Sequence, residues 1–375
     1  MSDINHTKFI VEQVNGDFEL WLNIENKKSK LPALWLRERA PTEDQIDHIT
    51  QQRFVNPHEF DPNIRLKQIE IKQGIIKLEF TDGYSADYQI TDIAKWINSD
   101  NSYPKKVKWK ADLSDIPRYN WLDFEDETYH FQAVQAYLKY GFIIIYNAPE
   151  KPNSIRKMAA KFGYIRHTNF GEIFEVKTKP KANDLAYYSV ALGPHTDNPY
   201  RDPTPGIQLL HCLVNQTSGG LSTLVDSLSC LDRLALTNPE GLELLANIPV
   251  TFTFSDVDTR IAKSRPIVSK NEKGEIDGMH YSPRLDWLPL LDEEVLKVYQ
   301  KARSCLSQLL TDHEFELKFK LVAGECMMFD NNRVLHGRTE FNPNEGARHL
   351  QGCYIDKDGP EAIYQHFYEK NNRVN

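Results

Sequence analysis

Beyond residue 163 the chain reads as short apolar or alternating runs, each bounded by Gly, Pro, Asn or Asp. That pattern belongs to a β layer and not to a helical bundle. Ile207-Gln208-Leu209-Leu210-His211, Thr223-Leu224-Val225-Asp226, Thr251-Phe252-Thr253-Phe254 and Cys326-Met327-Met328-Phe329-Asp330 are such runs, and 315–321 alternates in the same way. The continuous apolar run over 142–146 predicts a strand buried on both faces. Helical spacing covers 129–139, with Gly141 as C-cap, and 154–162, with Asn153 as cap and Gly163 as stop. Two further helical insertions are expected over 228–246 and 293–310. Many short strands with helices outside them predict a mainly β unit with flanking helices, a jelly roll or related barrel, in an α+β chain.

The first third is organised differently. Phe18-Glu19-Leu20-Trp21-Leu22 alternates, and 68–72 and 76–80 flank Gln73-Gly74-Ile75 as a hairpin would. Thr81-Asp82-Gly83 supplies another turn. Residues 1–105 are therefore expected to form a small β-rich domain, and 116–375 the larger one. The polar, Lys-rich stretch 103–115, which carries Trp109, is expected as the linker.

Composition removes several functions. A net charge of -8 argues against nucleic-acid binding, which needs a basic footprint. The longest apolar runs are far too short to cross a bilayer, and the start of the chain lacks the pattern of a secretory signal. Five scattered cysteines with no CxxC pair fit a reducing, cytoplasmic setting better than a disulfide framework.

The chemistry concentrates at Gly193-Pro194-His195-Thr196-Asp197-Asn198-Pro199. In an extended strand, residues two apart share a face, so His195 and Asp197 can grip one metal ion. A third ligand is offered by His336, in Arg333-Val334-Leu335-His336-Gly337-Arg338, just after the strand 326–330. Two His and one carboxylate on one side of an ion leave positions open for a co-substrate and O₂, the arrangement of non-heme Fe(II) oxygenases. A dicarboxylate co-substrate that chelates iron at one end needs a cation at the other. Arg348 is placed on the following strand for that role, and Arg338 competes for it.

These residues resemble a known family. His195-Thr196-Asp197, the stretch from Gly206 to Cys212, Gly219-Gly220-Leu221-Ser222-Thr223-Leu224-Val225-Asp226 and the segment around His336 are similar to the γ-butyrobetaine and trimethyllysine dioxygenases. Those are Fe(II)/2-oxoglutarate oxygenases related to taurine dioxygenase. The resemblance extends over nearly the whole chain. It implies a double-stranded β-helix core, iron held by His195, Asp197 and His336, and 2-oxoglutarate anchored by Arg348 with Ser222 nearby. It implies O₂-dependent decarboxylation of 2-oxoglutarate to succinate and CO₂ with hydroxylation of a C–H bond, stimulated by ascorbate. A cytoplasmic homodimer acting on a small molecule is expected.

Two departures from the family's pattern bear on function. The family's small domain carries cysteines and a histidine that bind zinc; here 39–48 contains no cysteine, so no zinc is expected there. The family also encloses a trimethylammonium group in an aromatic cage, and the matching positions are Phe170, Phe174, Tyr187 and Tyr354. At the substrate's other end, γ-butyrobetaine enzymes use an Asn where this chain has Asp184. A carboxylate there would repel a substrate carboxylate, whereas trimethyllysine enzymes use an Asp for an amino group. Arg284 could instead receive a carboxylate or phosphonate. The readings are hydroxylation of a γ-butyrobetaine-like compound by default, the same chemistry on trimethyllysine, a trimethylaminoalkyl phosphonate or another small molecule, or a catalytically silent jelly-roll binding protein.

Overall fold

The computed structural model describes residues 8–24, 27–97, 103–177 and 190–373. They divide into two compact units, Met1–Ser102 and Tyr103–Asn375. The first unit is a six-stranded sheet of β1 (Lys8–Val14), β2 (Asp17–Ile24), β3 (Lys27–Leu31), β4 (Leu66–Lys72), β5 (Ile75–Phe80) and β6 (Ser85–Gln89), with helices α1 (Ala33–Arg37) and α2 (Ile90–Ile97). Gln73 and Gly74 both have positive φ, 46° and 82°, as a tight two-residue hairpin between β4 and β5 requires. Beside the cysteine-free stretch, Arg37 is buried between two rings. Its guanidinium carbon lies 4.4 Å from the Phe60 centroid and 3.8 Å from that of Tyr84. It also donates to Asp82 (2.8 Å) and Gln45 (2.9 Å), which ties 37–45 to the sheet.

The second unit begins with β7 (Arg118–Asn120), α3 (Glu127–Tyr140), β8 (Phe142–Tyr146), α4 (Ile155–Ala160), β9 (Phe174–Lys177) and β10 (Leu192–His195). It continues through β11 (Ile207–Asn215), β12 (Ser222–Asp226), α5 (Ser227–Thr237), α6 (Pro239–Asn247) and the strands β13 (Pro249–Ser255), β14 (Arg260–Pro266), β15 (Val268–Lys270), β16 (Ile276–Met279) and β17 (Asp286–Trp287). It ends with α7 (Glu293–Thr311), β18 (Leu317–Phe319), β19 (Cys326–Asp330), β20 (Val334–Arg338), β21 (Arg348–Ile355) and α8 (Asp358–Arg373). Two sheets dominate, in the orders β7-β8-β19-β11-β21-β9 and β10-β20-β12-β18. The mainly β architecture expected from the run pattern is present, with helices around it.

The apolar runs are continuous because the larger sheet is buried on both faces. Phe142, Ile144, Met327 and Phe329 join Leu224 and Val334 of the smaller sheet in one core. Ile143, Ile145, Cys326 and Met328 point the other way, under residues of α3, α4 and α8. A third core packs α5, α6 and α7 on β13, β15 and β16. Among the described residues no helix is long and apolar enough to cross a membrane.

Four local expectations need correction. The helix over 228–246 is two helices, because Asn238 leaves the helical region (φ -152°), accepts the Gly241 N–H and is followed by Pro239, which suits a first helical position. Asn153 does not cap α4; it sits at φ 66° and donates its N–H to Gln351, and the helix spans only Ile155–Ala160. Of 315–321 only Leu317–Phe319 pairs as strand. The stretch 103–115 is not a linker. Trp109 is 4% exposed, its N–H reaches Asp226 at 3.0 Å, and Val107 N–H bonds Lys139 O at 2.8 Å.

Asp226 and Arg333 form the most deeply buried ion pair described, at 3.2 Å with side chains 0% and 1% exposed. Burial raises the Asp226 carboxyl pKa, against the pull of Arg333. Replacing Asp226 by Ala strands a buried cation, which costs about 3–5 kcal/mol. Chemical denaturation of Asp226→Ala should show a lowered midpoint of that size; a loss under about 1 kcal/mol would mean that Arg333 finds other compensation.

Candidate metal centre

Strands β10 and β20 run antiparallel, with Leu192 opposite Arg338 and His195 opposite His336. The count differs by one residue between these pairs, so β10 carries a bulge over Gly193-Pro194. Such a bulge bends the strand and re-aims the side chain that follows. The two imidazoles are brought face to face, centroids 4.2 Å apart and planes 39° from parallel. Gly193 O lies 3.0 Å from His195 Nδ1, so that nitrogen carries the proton and Nε2 is left with its lone pair.

Asp197 is not on the same strand face as His195, because β10 ends at His195. A loop places it. Asn331, fully buried, accepts the Asp197 N–H at 2.7 Å and donates to the Asp197 carbonyl and to Pro205 O, each at 2.9 Å. Thr196 is fixed one residue earlier by paired bonds to the Tyr281 backbone, 2.7 and 2.9 Å. Asp197 Oδ1 then lies 3.3 Å from His195 Nε2 and 3.9 Å from His336 Nε2. One ligand atom from each of the three residues fits within a 4.8 Å span. Ligands about 2 Å from one ion and at right angles to each other stand roughly 3 Å apart, so the set is sized for a single ion.

The electrostatics suit a cation. Burial alone would raise the Asp197 pKa, but the two imidazoles, where protonated, and the Tyr354 hydroxyl outweigh it and shift the carboxyl well below its usual range. Burial, with His195 beside it, lowers His336 to about 3, which keeps its imidazole neutral and able to ligate.

A second cluster lies along β20, which carries His336 and Arg338 on one face. Ser222 stands opposite Arg338 in the β12–β20 register. The guanidinium carbons of Arg338 and Arg348 lie 5.2 and 5.4 Å from the Phe341 centroid. Arg348 passes Gly220, where a Cβ would come within 2.8 Å of its Nε; glycine at φ 65° is required there. Arg348 is 9% exposed, and among the described residues its Nε has no partner and its one hydrogen bond is a long 3.5 Å contact to Gly220 O. A buried guanidinium with no carboxylate among the described residues fits an anionic ligand.

A cavity of ≈ 350 Å³ opens beside His195 and Asp197. Its walls bring together Phe170, Phe174, Tyr354 and Arg284 from the sequence reading, whereas Arg338, Arg348 and Ser222 do not line it. Asp184 and Tyr187 lie outside the described residues. Three contributors were missed: Tyr200 and Phe254, which stack at 5.0 Å in the wall, and Asn331 behind the triad. The run pattern marks Phe254 only as a strand residue; it shares the face of Phe252, two residues earlier, and packs against the same core.

Known proteins agree with this geometry. Residues 101–354 match the family described as taurine catabolism dioxygenase TauD, TfdA family. The chain is 29% identical over 343 residues to a γ-butyrobetaine dioxygenase of Pseudomonas sp. (strain AK-1), covering 89% of each protein. It is 26% identical to a trimethyllysine dioxygenase of Meyerozyma guilliermondii, covering 88% of each. Among solved structures, AAD-2 in complex with Mn(II) and N-oxalylglycine has the same fold, with a TM-score of 0.52, 15% identity, and 67% of this chain and 97% of that one covered.

Replacing Asp197 by Ala should abolish metal binding without unfolding the protein. Asn331→Ala, which touches no metal, should weaken Mn(II) or Fe(II) affinity by roughly 10–100-fold. Calorimetric titration of the metal-free protein checks both, and unchanged affinity in Asn331→Ala would show that the loop holds Asp197 without it.

Proposed function

The chain belongs to the TauD/TfdA family of dioxygenases, and we propose that it hydroxylates a C–H bond of a small trimethylammonium compound bearing an anionic end. It is a 2-oxoglutarate-dependent dioxygenase. The iron, when bound by His195, Asp197 and His336, supplies O₂ activation coupled to conversion of 2-oxoglutarate to succinate and CO₂. Arg348 would hold the far carboxylate of 2-oxoglutarate, with Ser222 and Arg338 beside it. Its lack of a carboxylate partner among the described residues supports that role.

One observation carries the substrate reading: the cavity beside the triad pairs aromatic walls with a cation, Arg284, that has no carboxylate partner among the described residues. Phe174 and Tyr354 are 5.1 Å apart and Phe170 and Phe254 are 5.6 Å apart, all bordering the same space. A quaternary ammonium group gains about 0.5–2 kcal/mol from each well-placed ring face and needs no hydrogen-bond acceptor. Arg284, in the same wall, has no carboxylate partner among the described residues. It is the group that would receive the substrate's carboxylate or phosphonate. Relatives named γ-butyrobetaine dioxygenase and trimethyllysine dioxygenase support the trimethylammonium end. Arg284 favours an anion at the other, so γ-butyrobetaine is the default and a trimethylaminoalkyl phosphonate the second reading.

Succinate release should be measured with Fe(II), ascorbate and 2-oxoglutarate against γ-butyrobetaine, trimethyllysine and trimethylaminoethylphosphonate. At least one should stimulate turnover; silence across a broad quaternary ammonium panel sinks the proposal. With the active compound, Arg284→Gln should raise KM by roughly 2–5-fold, as loss of a solvent-exposed charge pair does. An unchanged KM would remove Arg284 from the site.

A further inference from the structure

The backbone clamp from Asn331 fixes where the Asp197 main chain lies, but a carboxylate so held can still rotate about its last side-chain bond. Rotation decides whether one oxygen or both face the metal. Tyr354 is placed to settle this. Its hydroxyl donates to Asp197 Oδ2 at 2.7 Å, while Oδ1 is the oxygen turned toward His195 and His336. Tyr354 itself cannot swing. It is 4% exposed, its residue pairs with Gln208 of β11, its carbonyl accepts the Arg166 N–H at 2.8 Å, and the Phe174 ring lies against it.

We propose that Tyr354 is a positioning residue that reserves Oδ2 for its own hydroxyl and so keeps Asp197 a one-oxygen metal ligand. A carboxylate that chelated through both oxygens would fill a further coordination position, one that the chemistry needs open. The inference rests on the metal reading of the triad. It also means that one ring both borders the substrate cavity and orders a metal ligand.

Mn(II) is the probe, added to metal-free full-length protein with no substrate or quaternary ammonium compound present. Free Mn(II) is read by its electron paramagnetic resonance signal. Wild type should bind one ion. Tyr354→Phe keeps the ring and removes only the hydroxyl; with Oδ2 then free to turn, its affinity should shift by roughly 10-fold or more from wild type. Tyr119→Phe, which removes a hydroxyl bonded to Gln132 O outside this cavity, should bind as wild type does. Equal affinity in wild type and Tyr354→Phe overturns the inference and leaves the triad intact. Failure of wild type to bind at all sinks the metal reading instead. The metal-induced infrared difference spectrum gives a test that needs no variant. A wide splitting of the carboxylate stretches is expected for one-oxygen ligation in wild type, and the narrow splitting of a chelating carboxylate there would overturn the proposal.

Discussion

The catalytic unit depends on a guanidinium with nowhere to go. Arg333 is 1% exposed and bonds Asp226, Lys139 O (2.9 Å) and Val107 O. It thereby joins the end of β12, the start of β20, the end of α3 and the stretch before β7. Gly141 is part of the same arrangement, since a Cβ there would lie 2.9 Å from Arg333 Cδ. A buried pair of this kind adds little stability over well-packed apolar residues, but its loss on one side is severe. What it supplies here is register. Asp226 stands opposite Val334, so Leu224 faces His336 and Ser222 faces Arg338. A slip of one residue would turn His336 and Arg338 to the other side of the sheet.

The three candidate metal ligands inherit that register unequally. His336 is set by β20 alone, and His195 by its pairing across a bulge. Asp197 lies beyond the strand and is fixed by polar contacts from three separate segments, at Asn331, Tyr281 through Thr196, and Tyr354. Rigid strands thus position two ligands, and a hydrogen-bonded loop the third. The loop ligand is the one whose geometry depends on side chains that touch no metal.

This division explains what could be read from the chain. The buried strands 142–146 and 326–330 were legible because apolar runs bounded by turn residues have few other solutions. His195, Asp197 and His336 were legible as residue types, and the structure brings them together. The route by which Asp197 arrives was not, because strand periodicity stops at His195 and a turn with Asn198 at φ 52° takes over. Asn331 carried no local sign of its role; its partners are Asp197 and Pro205, far away in the chain. Trp109 was misread for a related reason. A lysine-rich stretch looks solvated, yet the lysine side chains can stay outside while one Trp and the backbone are buried.

The cavity's hydroxyls bear on its selectivity. Tyr354 gives its proton to Asp197 and Tyr200 hydrogen-bonds Asn198, so neither offers a free donor to a ligand. Phe170, Phe174 and Phe254 have none. The aromatic wall therefore presents π faces, which attract a methylated cation without replacing the water that a primary ammonium would demand. In the proposed function, charge at the other end would fall to Arg284. A molecule with a bulky methylated cation at one end and an anion at the other would then be held at two points, with its intervening carbons beside Asp197 and His195, and the distance between those two anchors would set which carbon is hydroxylated.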